Sequence, residues 1–201
     1  MGVVYGIRPE WIDNNLAKWY GISSGIVTDG LVLALDASVS RSYPGSGTTW
    51  TDLSGNGNNG TLTNGPTYNS ANGGSIVFDG TDDYGSVSCS QFQSGNNPFT
   101  MEVWFRWSGN GTNTSNNLFG YGNDGQNTIP LIMVNSNSVR FEFGSGSGVV
   151  NSSTIQTNTW YHAVATYNLS SNQIYLDGSL QNTTSYSVSY THLTLPTILL
   201  V

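Results

Sequence analysis

The chain has 201 residues, a formal net charge of −7, only 8% charged residues, 25 glycines and 12% aromatic residues. With five Lys and Arg in all and no basic cluster, it lacks the means to neutralise phosphates, which excludes a nucleic-acid partner; solubility is the plainer meaning of the acidity. Six Trp, eleven Tyr and seven Phe exclude a disordered chain, and the single cysteine, Cys89, excludes an internal disulfide framework.

The length suits one all-β domain of short strands and tight turns. Met1–Gly6 lacks the basic start and apolar run of a signal peptide, and no apolar run approaches a membrane span. Residues 1–25 form a distinct segment, in which Pro9, Glu10 and Trp11 open a short helix. Trp11, Ile12, Leu16 and Trp19 share one side of it. This helix either plugs one end of the domain or docks it, through residues 9–19, onto a larger particle. Gly30–Asp36 is expected as a strand, apolar on both faces. A loop follows at Arg41–Trp50. Then two clusters rich in Gly, Asn and Asp, Ser54–Gly60 and Asp79–Asp83, bracket a strand at Ser75–Phe78; such residues favour turns over helix.

Ser86–Ser90 is strand-like, and Phe99–Trp107 alternates cleanly. Phe99, Met101, Val103, Phe105 and Trp107 take one face, leaving Thr100, Glu102, Trp104 and Arg106 on the other. A polar loop is expected over Ser108–Asn117, then a hairpin of Thr128–Val134 and Ser138–Phe143. In its second strand Val139, Phe141 and Phe143 oppose Arg140 and Glu142. Trp160–Tyr167 sets Ala163, Ala165 and Tyr167 against His162, Val164 and Thr166. Ile174–Leu176 ends in the hairpin turn Asp177-Gly178. The core-facing set of these strands is expected to lie between two sheets. Cys89, with no His beside it in sequence, is expected to pack as a small hydrophobe.

Four ordered blocks carry a family resemblance: D-L-S-G-N-G-N-N-G-T from Asp52, F-D-G-T-D-D-Y from Phe78, F-T-M-E-V-W-F from Phe99, and W-Y-H-A-V-A-T-Y with I-Y-L-D-G between Trp160 and Gly178. They resemble laminin-G-like, concanavalin A-type lectin-glucanase domains, over roughly Asp29 to Leu180. The resemblance implies an all-β, antiparallel two-sheet jelly-roll sandwich over residues 26–187. The wording of the stretch from Pro44 to Gly65 further resembles laminin-G-like domains of phage virion and tail-associated proteins. That implies a virion or extracellular surface location, with virion proteins as the partners of residues 9–19. Val188–Thr197 is what one frame of a transposase-adapter oligonucleotide encodes, with shared ancestry of ordinary segments the alternative. Residues 188–201 are therefore expected to be a non-native tail, with later strands of the jelly roll missing, and His192 carries no functional argument.

The faces turned from the core suggest a site. Glu102, Trp104, Arg106, Arg140, Glu142, His162 and Tyr175 would gather on an open sheet face if their strands are neighbours. Sugars bind such surfaces, stacking on rings while carboxylate and guanidinium groups take their hydroxyls. The alternative is exposed ion pairing, Glu102 with Arg140 and Glu142 with Arg106, which stabilises little. Glucanases of this fold carry an E-x-D-x-E triplet; here the stretch reads E-V-W-F-R-W, so no enzyme is expected. Asp52, Asn56 and Asn58, and separately Asp79, Asp82 and Asp83, offer oxygen ligands for a structural calcium; turn capping is the alternative. The expected function is a non-catalytic carbohydrate-binding or adhesion module whose partner is a glycan or polysaccharide. A structural or decoration module and a glycan-cleaving enzyme are the other readings.

Overall fold

Two-residue turns set the register of the C-terminal half. Ser136 and Asn137 have φ of 47° and 64°, and Asp177 and Gly178 have φ of 48° and 78°. Left-handed pairs of this kind match the twist of the strands they join. The first joins β9 (Pro130–Asn135) to β10 (Ser138–Phe143), with Asn135 opposite Ser138. The second joins β13 (Ser171–Leu176) to β14 (Ser179–Ser185), with Leu176 opposite Ser179.

The computed structural model describes residues 3–5, 28–92, 97–109, 115–122, 130–143 and 146–187. The expected helix near Pro9–Trp19 and the tail 188–201 lie outside them. The remaining strands, in chain order, are β1 (Val3–Tyr5), β2 (Thr49–Trp50), β3 (Gly60–Thr63), β4 (Thr67–Asn69), β5 (Ser75–Val77), β6 (Tyr84–Val87), β7 (Phe99–Trp107), β8 (Ser115–Gly120), β11 (Ser147–Thr154) and β12 (Trp160–Tyr167). They form a seven-stranded sheet ordered β14-β13-β12-β7-β1-β5-β4, a four-stranded sheet ordered β11-β10-β9-β8, and a three-stranded sheet ordered β2-β3-β6. The described pairings are antiparallel. The fold is thus an all-β sandwich, as expected.

The core follows the alternation of the strands. Met101, Val103, Phe105 and Trp107 of β7, Ala163, Ala165 and Tyr167 of β12, and Ile174 and Leu176 of β13 pack with Val139, Phe141 and Phe143 of β10. Phe99 packs against this cluster from its margin, with its ring edge-on to Phe141 at 6.2 Å. A second cluster joins Ile76 and Phe78 to Leu62, Trp50, Tyr43 and Ala37. Burying each large apolar side chain contributes on the order of 1.5–3 kcal/mol before the entropy of ordering is set against it.

Three expectations are corrected. Residues 31–36 form no strand; the backbone of this apolar run is bonded instead by side chains of the loop at 52–58, described below. Ser115–Asn117, expected within a loop, open β8. Arg140 and Glu142 do not join Glu102 and Arg106, because β10 pairs with β9 and β11 in the smaller sheet, whereas β7 pairs with β12 and β1. Their ion pair is with each other, two residues apart on one face of β10.

Candidate functional site

The face of the seven-stranded sheet turned away from the core is built in rows by the register. Trp104 on β7 lies opposite His162 on β12, Glu102 opposite Val164, and Arg106 opposite Trp160. On the other side of β12, Val164 faces Tyr175 and Thr166 faces Gln173. Gln173 in turn faces Thr183 on β14. Of the seven residues expected to share a face, five do so: Glu102, Trp104, Arg106, His162 and Tyr175. Arg140 and Glu142 belong to the other sheet, where Glu142 is nearly buried.

At the centre, the Trp104 and His162 rings stack with centroids 4.7 Å apart and planes within 14°. The His162 imidazole reaches back along β7, its Nε2 lying 3.5 Å from Oε2 of Glu102. That Nε2 is buried and makes no hydrogen bond. The Glu102 side chain is 65% exposed, and its contact with His162 holds the carboxyl below the usual carboxylate range, against an opposing effect of partial burial. The backbone of His162 is fixed from β13: its N–H donates to Asp177 Oδ1 at 2.9 Å, and its carbonyl accepts from the Asp177 N–H at 2.9 Å.

Toward β14 the face is a network of neutral polar groups. Gln173 Oε1 accepts from the Tyr175 hydroxyl at 3.1 Å and from Thr166 Oγ1 at 3.4 Å, while Gln173 Nε2 donates to Thr183 Oγ1 at 3.4 Å. Leu180, opposite Tyr175, is exposed. Sequence reasoning missed Gln173, although its place two residues before Tyr175 puts both on one face. Such a surface combines ring faces, hydroxyls, an amide and one carboxylate, the groups that engage a polyhydroxylated ligand.

The two loops expected to hold calcium differ. Asp52 Oδ1 accepts from the Ala34 and Ser54 N–H groups, both at 2.9 Å. Its Oδ2 accepts from Ser54 Oγ at 2.7 Å and the Asn58 N–H at 3.0 Å. Asn56 Nδ2 donates to the carbonyls of Leu31 and Val32, and Asn58 Nδ2 to Val32. These bonds tie the loop's polar side chains to the backbone of Leu31, Val32 and Ala34, which lies in no strand. Asp79, Asp82 and Asp83, by contrast, bring carboxylate oxygens within 4.8 Å of one another at the surface. Thr81 N–H, bonded to Asp79 Oδ1 at 2.7 Å, holds that carboxyl below its ordinary range. Hard oxygen donors at this spacing fit a calcium ion, although turn bonding also explains part of the geometry. Cys89 is half-buried, with Sγ 3.3 Å from Gln91 Oε1.

Residues 79–200 match the family described as the concanavalin A-like lectin/glucanases superfamily, in its laminin G type. The match spans more than half of the chain, and the chain belongs to this family. Among solved structures it is similar to residues 221–444 of an S-layer domain-containing protein from Clostridium thermocellum. The two are 22% identical, with a TM-score of 0.41, over 74% of this chain and 71% of that one. Comparison with curated proteins yields no match. No helix among the described residues is long and apolar enough to cross a membrane.

Proposed function

We propose that the protein is a non-catalytic carbohydrate-binding or adhesion module that takes a glycan on the outer face of its seven-stranded sheet. The Trp104–His162 stack carries this reading, flanked by Glu102 on one side and the Tyr175–Gln173–Thr166 network on the other. Trp104 is the stacking platform, and Glu102, Gln173 and Tyr175 are the hydroxyl partners. A binding rather than hydrolytic role is supported by the separation of Glu102 and Glu142 onto different sheets, which denies them the facing arrangement that glycoside hydrolysis needs. The motif resemblance supports display on a surface, as in a phage virion or tail-associated protein, with host glycans as partner. A calcium ion held by Asp79, Asp82 and Asp83 would then serve the loop beside β6.

Affinity per site is expected to be modest, on the order of millimolar to micromolar, with avidity from repeated display. A glycan array selects a binder, and calorimetric titration of that glycan compares wild type with Trp104→Ala. Binding is expected to vanish in the variant while its circular dichroism stays that of the folded protein. Identical isotherms would remove the site.

A further inference from the structure

We propose that Glu102 makes this face selective for glycans that carry free amino groups, such as oligomers of an N-deacetylated hexosamine. The inference rests on the carbohydrate-binding reading and adds the charge of the ligand to it. Its ground is the distribution of charge on the face. Glu102 presents an exposed carboxylate two residues along β7 from Trp104, on the same face. The neighbouring polar groups, on Thr166, Gln173 and Tyr175, bear no charge at neutral pH and bond among themselves. Arg106 is four residues along the same strand, so at about 3.4 Å per residue its backbone is roughly 14 Å from that of Glu102, beyond Trp104. Asp177, at the β13 end of the His162 row, adds a second negative charge and has Oδ1 engaged by the His162 N–H.

An ammonium group set between Glu102 and the Trp104 ring would gain an ion pair and a cation–π contact together. The carboxylate of a uronic acid at the same place would meet Glu102 and a chain of net charge −7. N-acetylation removes the cation and so isolates the contribution of charge from that of ring stacking and hydroxyls. His162 is the internal competitor, since its Nε2 already lies 3.5 Å from Oε2 of Glu102. Glu102 itself is the ionised partner at neutral pH, since its contact with His162 holds the carboxyl low.

The test is calorimetric titration of matched hexosamine oligomers, fully deacetylated and fully N-acetylated, with a uronic acid oligomer of equal length, at one mildly acidic pH that keeps the amines protonated and Glu102 ionised. There the deacetylated oligomer is expected to bind about ten-fold tighter than the acetylated one, and the uronic acid oligomer more weakly than either. Glu102→Gln should abolish the preference while leaving residual binding of the acetylated oligomer. Asp29→Asn, which removes one exposed charge elsewhere, should leave the preference intact and so exclude general attraction. Equal affinity for the two hexosamine oligomers, or a preference that survives Glu102→Gln, overturns the inference and leaves a charge-blind carbohydrate site. If folded wild type binds no oligosaccharide of any class, the carbohydrate reading falls with it.

Discussion

Asp52 is nearly buried, and burial alone would push its carboxyl pKa up. Hydrogen bonds from Ala34, Ser54 and Asn58 overcome that and hold it below the usual range, so the ionised form belongs to the folded state. A carboxyl depressed on folding stabilises above its unfolded pKa of about 3.9, and that contribution fades as the pH falls through the lower folded value. Asp52→Ala leaves several backbone N–H groups without an acceptor and should cost roughly 2–3 kcal/mol at neutral pH in urea denaturation. The difference from wild type should shrink at about pH 3 and below; one that stays constant there would contradict the ionised form as its source. The composition of this loop was legible in the sequence, but its role was not. Oxygen-bearing side chains at alternate positions suit a cation and a backbone equally, and the backbone they bond, the apolar run at 31–34, is distant in sequence.

Among the elements, β7 and β12 were legible to the residue because period-two alternation fixes both their extent and their buried face. β14 was not: S-L-Q-N-T-T-S has no apolar face, and six of its residues keep their place through the ladder with β13 and bonds to β11. The faces of Arg140 and Glu142 were also legible, yet their sheet was not, since strand partners are chosen by contacts far apart in the chain. The margin between the two sheets is closed by side chains. Asn172 Nδ2 donates to the Gly148 carbonyl at 2.5 Å, Thr184 Oγ1 to Val149 at 2.9 Å, and Ser153 Oγ to Gln181 Oε1 at 2.7 Å. Gly148 has φ of 60°, and a Cβ there would fall 2.5 Å from Asn172 Nδ2 and 2.6 Å from the Tyr186 ring. Gly148→Ala should therefore lower stability by on the order of 1–3 kcal/mol and speed amide exchange in β11 more than in β9. Uniform acceleration across the sheet would argue against a local seam.

For the whole molecule, two clusters of buried side chains are spanned by one large sheet, and the larger cluster should govern the melt. Phe105 is fully buried within it, so Phe105→Ala should cost roughly 3–5 kcal/mol. A loss below about 1 kcal/mol in chemical denaturation would mean that β7 is not the spine of the core. The sandwich itself was readable because apolar faces repeat in several strands, whereas the three-stranded sheet at β2, β3 and β6 was not, its strands being two to four residues long.

In the large sheet the three residues of β1 stand between β7 and β5, with Val4 opposite Arg106 on one side and Val77 on the other. This has a consequence for the order of assembly. Val3–Tyr5 leaves the ribosome before either neighbour exists, and has to wait through the synthesis of about half the chain for the second. The strands from β7 onward, by contrast, are mostly joined to neighbours by short connections, so loop closure favours them. The sheet would then be completed last at its middle, by a segment made before both of its neighbours, and until that moment its two halves are separate edges, each open to a strand from another molecule.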